Sequence, residues 1–70
     1  MQHYEINSSA IRAVAYDDAS RILEVHFHQW GSYRYFEVPE FVLRAFLKAS
    51  SKGEYFNRCI TDCFRSEEIR

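Results

Sequence analysis

Three aromatic residues and one arginine lie close together near the middle of the chain, and their types suit the binding of single-stranded nucleic acid. Tyr33 and Tyr35 flank Arg34, and Trp30 precedes them in a predicted turn. Aromatic rings stack on unpaired bases, and a guanidinium neutralises phosphate. The alternative is that both tyrosines are core residues, because so short a chain needs its rings for burial.

A second group of residues can attract phosphate by charge. Arg44, Lys48 and Lys52 follow one another at four-residue steps, and Arg58 lies on the next predicted helix. Side chains four residues apart share a helix face, so these cations form a positive strip if Lys52 stays near the end of the first helix. The alternative is a solvated helix face without a ligand.

Histidines and cysteines occur in pairs that raise the question of a zinc site. His26 and His28 share one face of a predicted strand, and Cys59 and Cys63 lie four residues apart on a predicted helix. This spacing differs from the usual zinc motifs, and the histidines should point away from the core toward which the cysteines point. We predict no metal site and no disulfide, with both cysteines acting as small buried hydrophobic residues.

No combination of residues predicts catalysis. Asp17 and Asp18 are typical of a turn, and the serine pairs are typical of turns and helix caps. The sequence shows no nucleophile spaced from a base and no glycine-rich phosphate loop. We expect a protein that is not an enzyme and needs no cofactor, since a thin core leaves little room for a preorganised cleft.

Alternating hydrophobic residues predict an antiparallel β-meander. In the clearest strand Leu23, Val25 and Phe27 alternate with polar residues, so one face of the sheet is apolar and the other polar. Before this meander, Tyr4–Ile6 allows one short edge strand. The three strands of the meander are predicted at Ile11–Tyr16, Ile22–His28 and Tyr33–Val38.

The register of the third strand has two solutions. An even-numbered loop around Gly31 places the even-numbered residues 34–38 beside the apolar residues of the second strand, whereas an odd-numbered loop places Tyr33 and Tyr35 there. We favour the odd loop with Gly31 in a bulge, because it buries two tyrosine rings.

Two helices follow the strands. Pro39 begins the first, and Ser51 with Glu54 forms a capping box that begins the second, which should run to about Cys63. We therefore predict an α+β fold in the order β-β-β-α-α, with both helices on one face of a three-stranded sheet. The chain forms a single domain over residues 1–70, with a core over 8–64 and a frayed charged tail over 65–70.

Composition and charge limit the classes of partner. A formal net charge of −1 gives no overall attraction to nucleic acid or membranes, so a nucleic-acid partner needs a local basic patch. The absence of a signal peptide and of long apolar runs predicts a cytoplasmic protein without a membrane association. We expect a monomer, or a homodimer through an open edge at Ile11–Tyr16 or Tyr33–Val38.

Several stretches, in order, match a known family pattern. Tyr33 and Tyr35 form a central tyrosine-any-tyrosine motif, and Val38-Pro39 follows it. The first-strand motif is matched by Ser9, Ile11, Val14, Tyr16 and Asp17, and the second-strand motif by Leu23, Val25 and Phe27. The second-helix motif is matched by Ala49, Ser51, Gly53, Phe56, Asn57 and Ile60. On these residues the chain resembles the KTSC domain, which occurs at the C-terminus of some lysyl-tRNA synthetases and as a stand-alone bacterial or phage protein.

The resemblance implies a compact α+β domain and adds RNA as a candidate partner through the synthetase context. The leading hypothesis is a non-catalytic module that binds RNA with a steep salt dependence, and the alternative is a protein-interaction or inhibitor module with Trp30 at its interface. The chain departs from the family at Trp30, where a glycine is usual, and at Thr61–Phe64, which replaces a basic stretch.

Overall fold

The computed structural model describes residues 1–69, which form one five-stranded antiparallel sheet and two helices. The strands pair in chain order, and both helices lie in the connection between the last two. The α+β class is confirmed, but the predicted number of strands is wrong. The elements are β1 (Gln2–Glu5), β2 (Ile11–Asp17), β3 (Ile22–Phe27), β4 (Ser32–Tyr35), α1 (Glu40–Lys48), α2 (Lys52–Cys59) and β5 (Ser66–Ile69).

The two additional strands are β1 and β5. β5 lies in the tail that was predicted to be frayed. Residue 70 of that tail lies outside the described residues. It pairs with β4, where Glu67 lies opposite Arg34, and this opposite-charge pair supports a strand with few apolar residues. β1 pairs with β2 along its whole length. As a result β2 and β4 are both interior strands, so the prediction that they offer open edges for a homodimer is wrong.

The register of β4 confirms the odd-numbered loop. Tyr35 lies opposite Leu23 and Tyr33 lies opposite Val25, so both tyrosines are on the apolar face of the sheet. Gly31 takes the left-handed conformation with φ +81°, which a glycine adopts without a steric penalty. The tight turn after β3 thus carries Trp30 to the margin of this face.

Both helices pack on the apolar face. Phe46 of α1 and Ile60, which follows α2, are fully buried against the sheet. The Ser51 hydroxyl accepts a hydrogen bond of 3.3 Å from the Glu54 amide, which confirms the predicted start of α2. α2 ends at Cys59, earlier than predicted, so Cys63 is exposed and its predicted burial is wrong.

Candidate functional site

An open aromatic cleft lies between the β3–β4 hairpin and α2, on the helix-covered face of the sheet. Its volume is about 460 Å³. We call it the aromatic cleft, and its lining residues are Ala10, Ile11, Phe27, Trp30, Tyr33, Tyr35, Gly53, Phe56, Asn57, Thr61 and Ser66. None of these described residues is charged.

The wall of the cleft is a cluster of rings around Phe27. The ring centroid of Phe27 lies 5.7 Å from that of Trp30, 6.0 Å from that of Tyr33 and 5.4 Å from that of Phe56. The rings of Phe27 and Phe56 meet edge to face, as do those of Tyr35 and Phe56. Such contacts stabilise a fixed arrangement, so the cleft has preformed aromatic walls.

Trp30 is held at the mouth of the cleft by the turn that carries it. The His28 amide donates a 3.0 Å hydrogen bond to the Ala10 carbonyl, and the His28 ring nitrogen Nε2 donates one of 2.9 Å to the Ser8 carbonyl. These two bonds join the turn to the β1–β2 loop. The Trp30 side chain remains 66% exposed, as the sequence predicted for a turn aromatic. A flat ligand can therefore reach one of its faces.

One side of the cleft is formed by α2. Gly53, Phe56 and Asn57 are spaced so that they share one face of the helix, and all three line the cleft. Sequence reasoning assigned these residues to the second-helix motif and missed them as a surface. Their helical spacing was the signal that could have identified them. Asn57 adds an exposed side-chain amide, which both donates and accepts hydrogen bonds.

The two tyrosines have different roles. Tyr35 is 5% exposed and belongs to the core, which supports the alternative that the sequence left open for it. Burial raises the pKa of its phenol, and Tyr33 and Asp62 add to the rise in pKa. Tyr33 is only half-buried and forms part of the cleft wall. Of the two, Tyr33 is the ring that a ligand can reach more easily.

The arginines of the predicted site lie away from the cleft. Arg34 is on the opposite face of the sheet, where it lies 3.4 Å from the Glu24 carboxylate and 3.3 Å from that of Glu67. Arg44 lies 3.0 Å from the Glu40 carboxylate on the same helix. No described residue of α1 lines the aromatic cleft. These two arginines therefore do not join Trp30 and Tyr33 in one surface.

The remaining predicted cations are also spread out. Lys52 donates a 2.6 Å hydrogen bond to the Ala49 carbonyl at the end of α1. Lys48 and Arg58 are exposed, and Arg58 lines a separate shallow groove that includes Glu54. Like the other four predicted cations, Lys52 does not line the aromatic cleft.

His26 and Cys59 stabilise the fold from opposite sides of the sheet. His26 shares a 2.7 Å hydrogen bond with Ser32 across β3 and β4, while Cys59 packs against the core on the other side of the sheet. Over residues 1–69 no group of three or more histidine, cysteine or acidic side chains is placed to hold a metal ion. Neither α1 nor α2 has the length and apolar character needed to cross a bilayer.

Comparison with known proteins identifies the family. The family model of the KTSC domain matches residues 7–64. The crystal structure of a KTSC domain protein from Yersinia pestis superposes with a TM-score of 0.95 at 36% identity, over 99% of this chain and 97% of that one. The chain therefore belongs to the KTSC domain family, as the sequence resemblance predicted.

Two kinds of relative resemble this chain. An uncharacterized protein of Stutzerimonas stutzeri is 41% identical over 58 residues, which cover 83% of this chain and 82% of that one. A lysine–tRNA ligase of Nostoc punctiforme is 33% identical over 61 residues, which cover 87% of this chain but only 11% of the ligase. The same domain thus occurs both as a small protein and as a minor part of a large enzyme.

Proposed function

We propose that this protein is a non-catalytic module that binds single-stranded RNA by receiving an unpaired base in the aromatic cleft. The observation that carries the proposal is the cleft itself, a preformed concavity with exposed Trp30 at its mouth. Proteins recognise unpaired bases by stacking them on aromatic rings and by hydrogen bonds to their edges. Trp30 and Tyr33 supply the rings, and Asn57 and Thr61 supply polar groups at the same site.

Relatives favour RNA over other ligands with flat rings. Lysine–tRNA ligases carry a region similar to this chain, and by their name they act on a tRNA. A domain added to such an enzyme is well placed to hold an unpaired part of its substrate. This support is by analogy, and the aromatic cleft supplies the physical reason.

Charge makes only a small contribution to the proposed binding. Arg34 and Arg44 lie in ion pairs, and none of the five predicted cations lines the cleft. Each neutralised phosphate of a single strand contributes a slope of about −0.7 to the dependence of log K on log salt. We therefore expect a shallow slope of about −1 instead of the steep dependence expected from a basic strip.

The test is the affinity of fluorescently labelled rA, rC and rU hexamers, measured by anisotropy at low salt. Stacking of a base is worth about 1–3 kcal/mol, so Trp30→Ala should weaken binding by about 5- to 150-fold. Phe41→Ala is the matched control, since Phe41 is an aromatic residue of α1 that is 71% exposed and away from the cleft. Equal affinity of the Trp30→Ala variant and the native protein would contradict the proposal, as would the absence of binding.

A protein partner is the second candidate. It is favoured by the pairing of Arg34 and Arg44 with carboxylates and by the exposure of Phe41, since aromatic side chains dominate protein interfaces. In this case Phe41→Ala should reduce capture of the partner from a bacterial lysate. Under the RNA proposal Phe41→Ala leaves the affinity for the hexamers unchanged.

A further inference from the structure

A second, polar groove adjoins the aromatic cleft. This polar groove has a volume of about 250 Å³ and is lined by residues of the β1–β2 loop, of the α1–α2 connection and of the start of α2. Its side chains include Asn7, Ser8, Ser9 and Lys52. Ala10 and Gly53 line both concavities, and we call the space over these two small residues the passage.

Nothing in the packing of the fold requires a glycine at position 53, where the cleft and the groove meet. It lies in the first turn of α2 with an ordinary helical conformation, and a Cβ added to it would meet no atom within 4 Å. Glycine in a helix is less stable than alanine because it loses more backbone entropy on folding. The packing would therefore accept a side chain at position 53, and that side chain would stand in the passage between cleft and groove.

Lys52 places a positive charge in the polar groove. Its Nζ donates a 2.6 Å hydrogen bond to the Ala49 carbonyl. An ammonium group has three donors, so this bond leaves others for a ligand. A phosphate attached to a base in the aromatic cleft is therefore attracted toward the polar groove.

We propose that the ligand is a strand instead of a free base or mononucleotide, and that its sugar–phosphate backbone leaves the aromatic cleft across Gly53 into the polar groove. This inference rests on the proposed function and adds a path and a second contact region to it. Gly53 is then the residue that sets which ligands enter, since it keeps the passage open at the expense of helix stability.

The experiment compares trinucleotides of rA, rC and rU with the matching nucleoside monophosphates on native protein, Gly53→Ala and Gly53→Leu. The fluorescence of Trp30, the single tryptophan of the chain, reports occupancy of the cleft. In native protein the trinucleotide should bind at least about tenfold more tightly than its monophosphate. Gly53→Leu should abolish that difference, because the affinity for the trinucleotide should fall at least about tenfold more than the affinity for the monophosphate. Thermal melting and circular dichroism verify the fold, and Gly53→Ala should melt at a higher temperature than the native protein.

The outcomes separate the two proposals. If Gly53→Leu binds the trinucleotide as tightly as native protein does, the path across Gly53 is wrong while binding in the cleft stands. If Gly53→Leu does not fold, Gly53→Ser takes its place, and the affinity for the trinucleotide must then fall at least about threefold more than the affinity for the monophosphate. If no probe changes Trp30 fluorescence in native protein, both this inference and the proposed function are wrong.

Discussion

At the scale of single residues, several side chains that could take part in chemistry instead stabilise the fold. The His28 ring holds the turn of Trp30 against the β1–β2 loop, and the Tyr16 hydroxyl donates a 2.6 Å hydrogen bond to the Val38 carbonyl just before α1. Such bonds satisfy backbone groups that have no partner in a strand or helix. Trp30 and Asn57 differ from them, because both remain exposed at a concave surface.

Buried tyrosines make the stability of the fold sensitive to alkaline pH. Burial raises the pKa of Tyr16, Tyr35 and Tyr55 above the ordinary value. The folded state then holds its phenolic protons more tightly than the unfolded state, whose tyrosines ionise near pH 10. The free energy of unfolding should therefore be independent of these groups below about pH 10 and fall as the pH rises further.

Chemical denaturation at a series of alkaline pH values, together with phenolate absorbance, measures both quantities. Tyrosines that all titrate near pH 10 in the folded protein, with no accompanying loss of stability, would contradict the expected pKa shifts.

At the scale of elements, the sequence indicated the three central strands, both helices and the register of β4, since each has a strong local pattern. Leu23, Val25 and Phe27 alternate, and Ser51 with Glu54 forms a cap that holds in the structure. β5 has no such pattern. It is a strand because its backbone pairs with β4, where Glu67 lies opposite Arg34, a partner more than thirty residues away along the chain.

Removal of β5 tests how much this unpredicted element contributes. A chain that ends at Arg65 loses the ladder between β4 and β5, at a net value of about 0.5–1.5 kcal/mol for each hydrogen bond. We expect a fall in the free energy of unfolding on the order of 2–4 kcal/mol. The open edge of β4 should also promote association between chains.

Urea denaturation and sedimentation measure the two effects. A full-length chain with Glu67→Ala and Glu68→Ala is the matched control, because it keeps the backbone of β5 while losing its charges. A truncated chain that is as stable and as monomeric as this control would show that β5 contributes little.

At the scale of the whole molecule, the aromatic cleft depends on residues that are distant in sequence. It joins Trp30 of a turn, Tyr33 of β4 and Phe56 of α2, and only the packing of α2 on the sheet brings them together. The sequence identified Trp30 and Tyr33 as candidates for stacking. We also grouped Arg34 with them. Successive side chains of β4 point to opposite faces of the sheet, so Arg34 lies on the face opposite to that of Tyr33.

The same alternation divides the molecule into two faces. One face carries the helices and the aromatic cleft, and the other carries the ion pairs of Arg34 with Glu24 and Glu67. Since those carboxylates neutralise the arginine, Arg34 offers little attraction to a phosphate-bearing ligand. We therefore expect RNA to bind on the side of Trp30.

Nuclear magnetic resonance with isotope-labelled protein and unlabelled rU or rA hexamers tests this claim most directly. The indole N–H of Trp30, the side-chain amide of Asn57 and the backbone amide of Gly53 should shift progressively on titration, while the guanidinium N–H signals of Arg34 and Arg44 stay in place. Shifts confined to Arg34 and its neighbours on the opposite face, or no shifts at all, would show that the aromatic cleft is not an RNA-binding site.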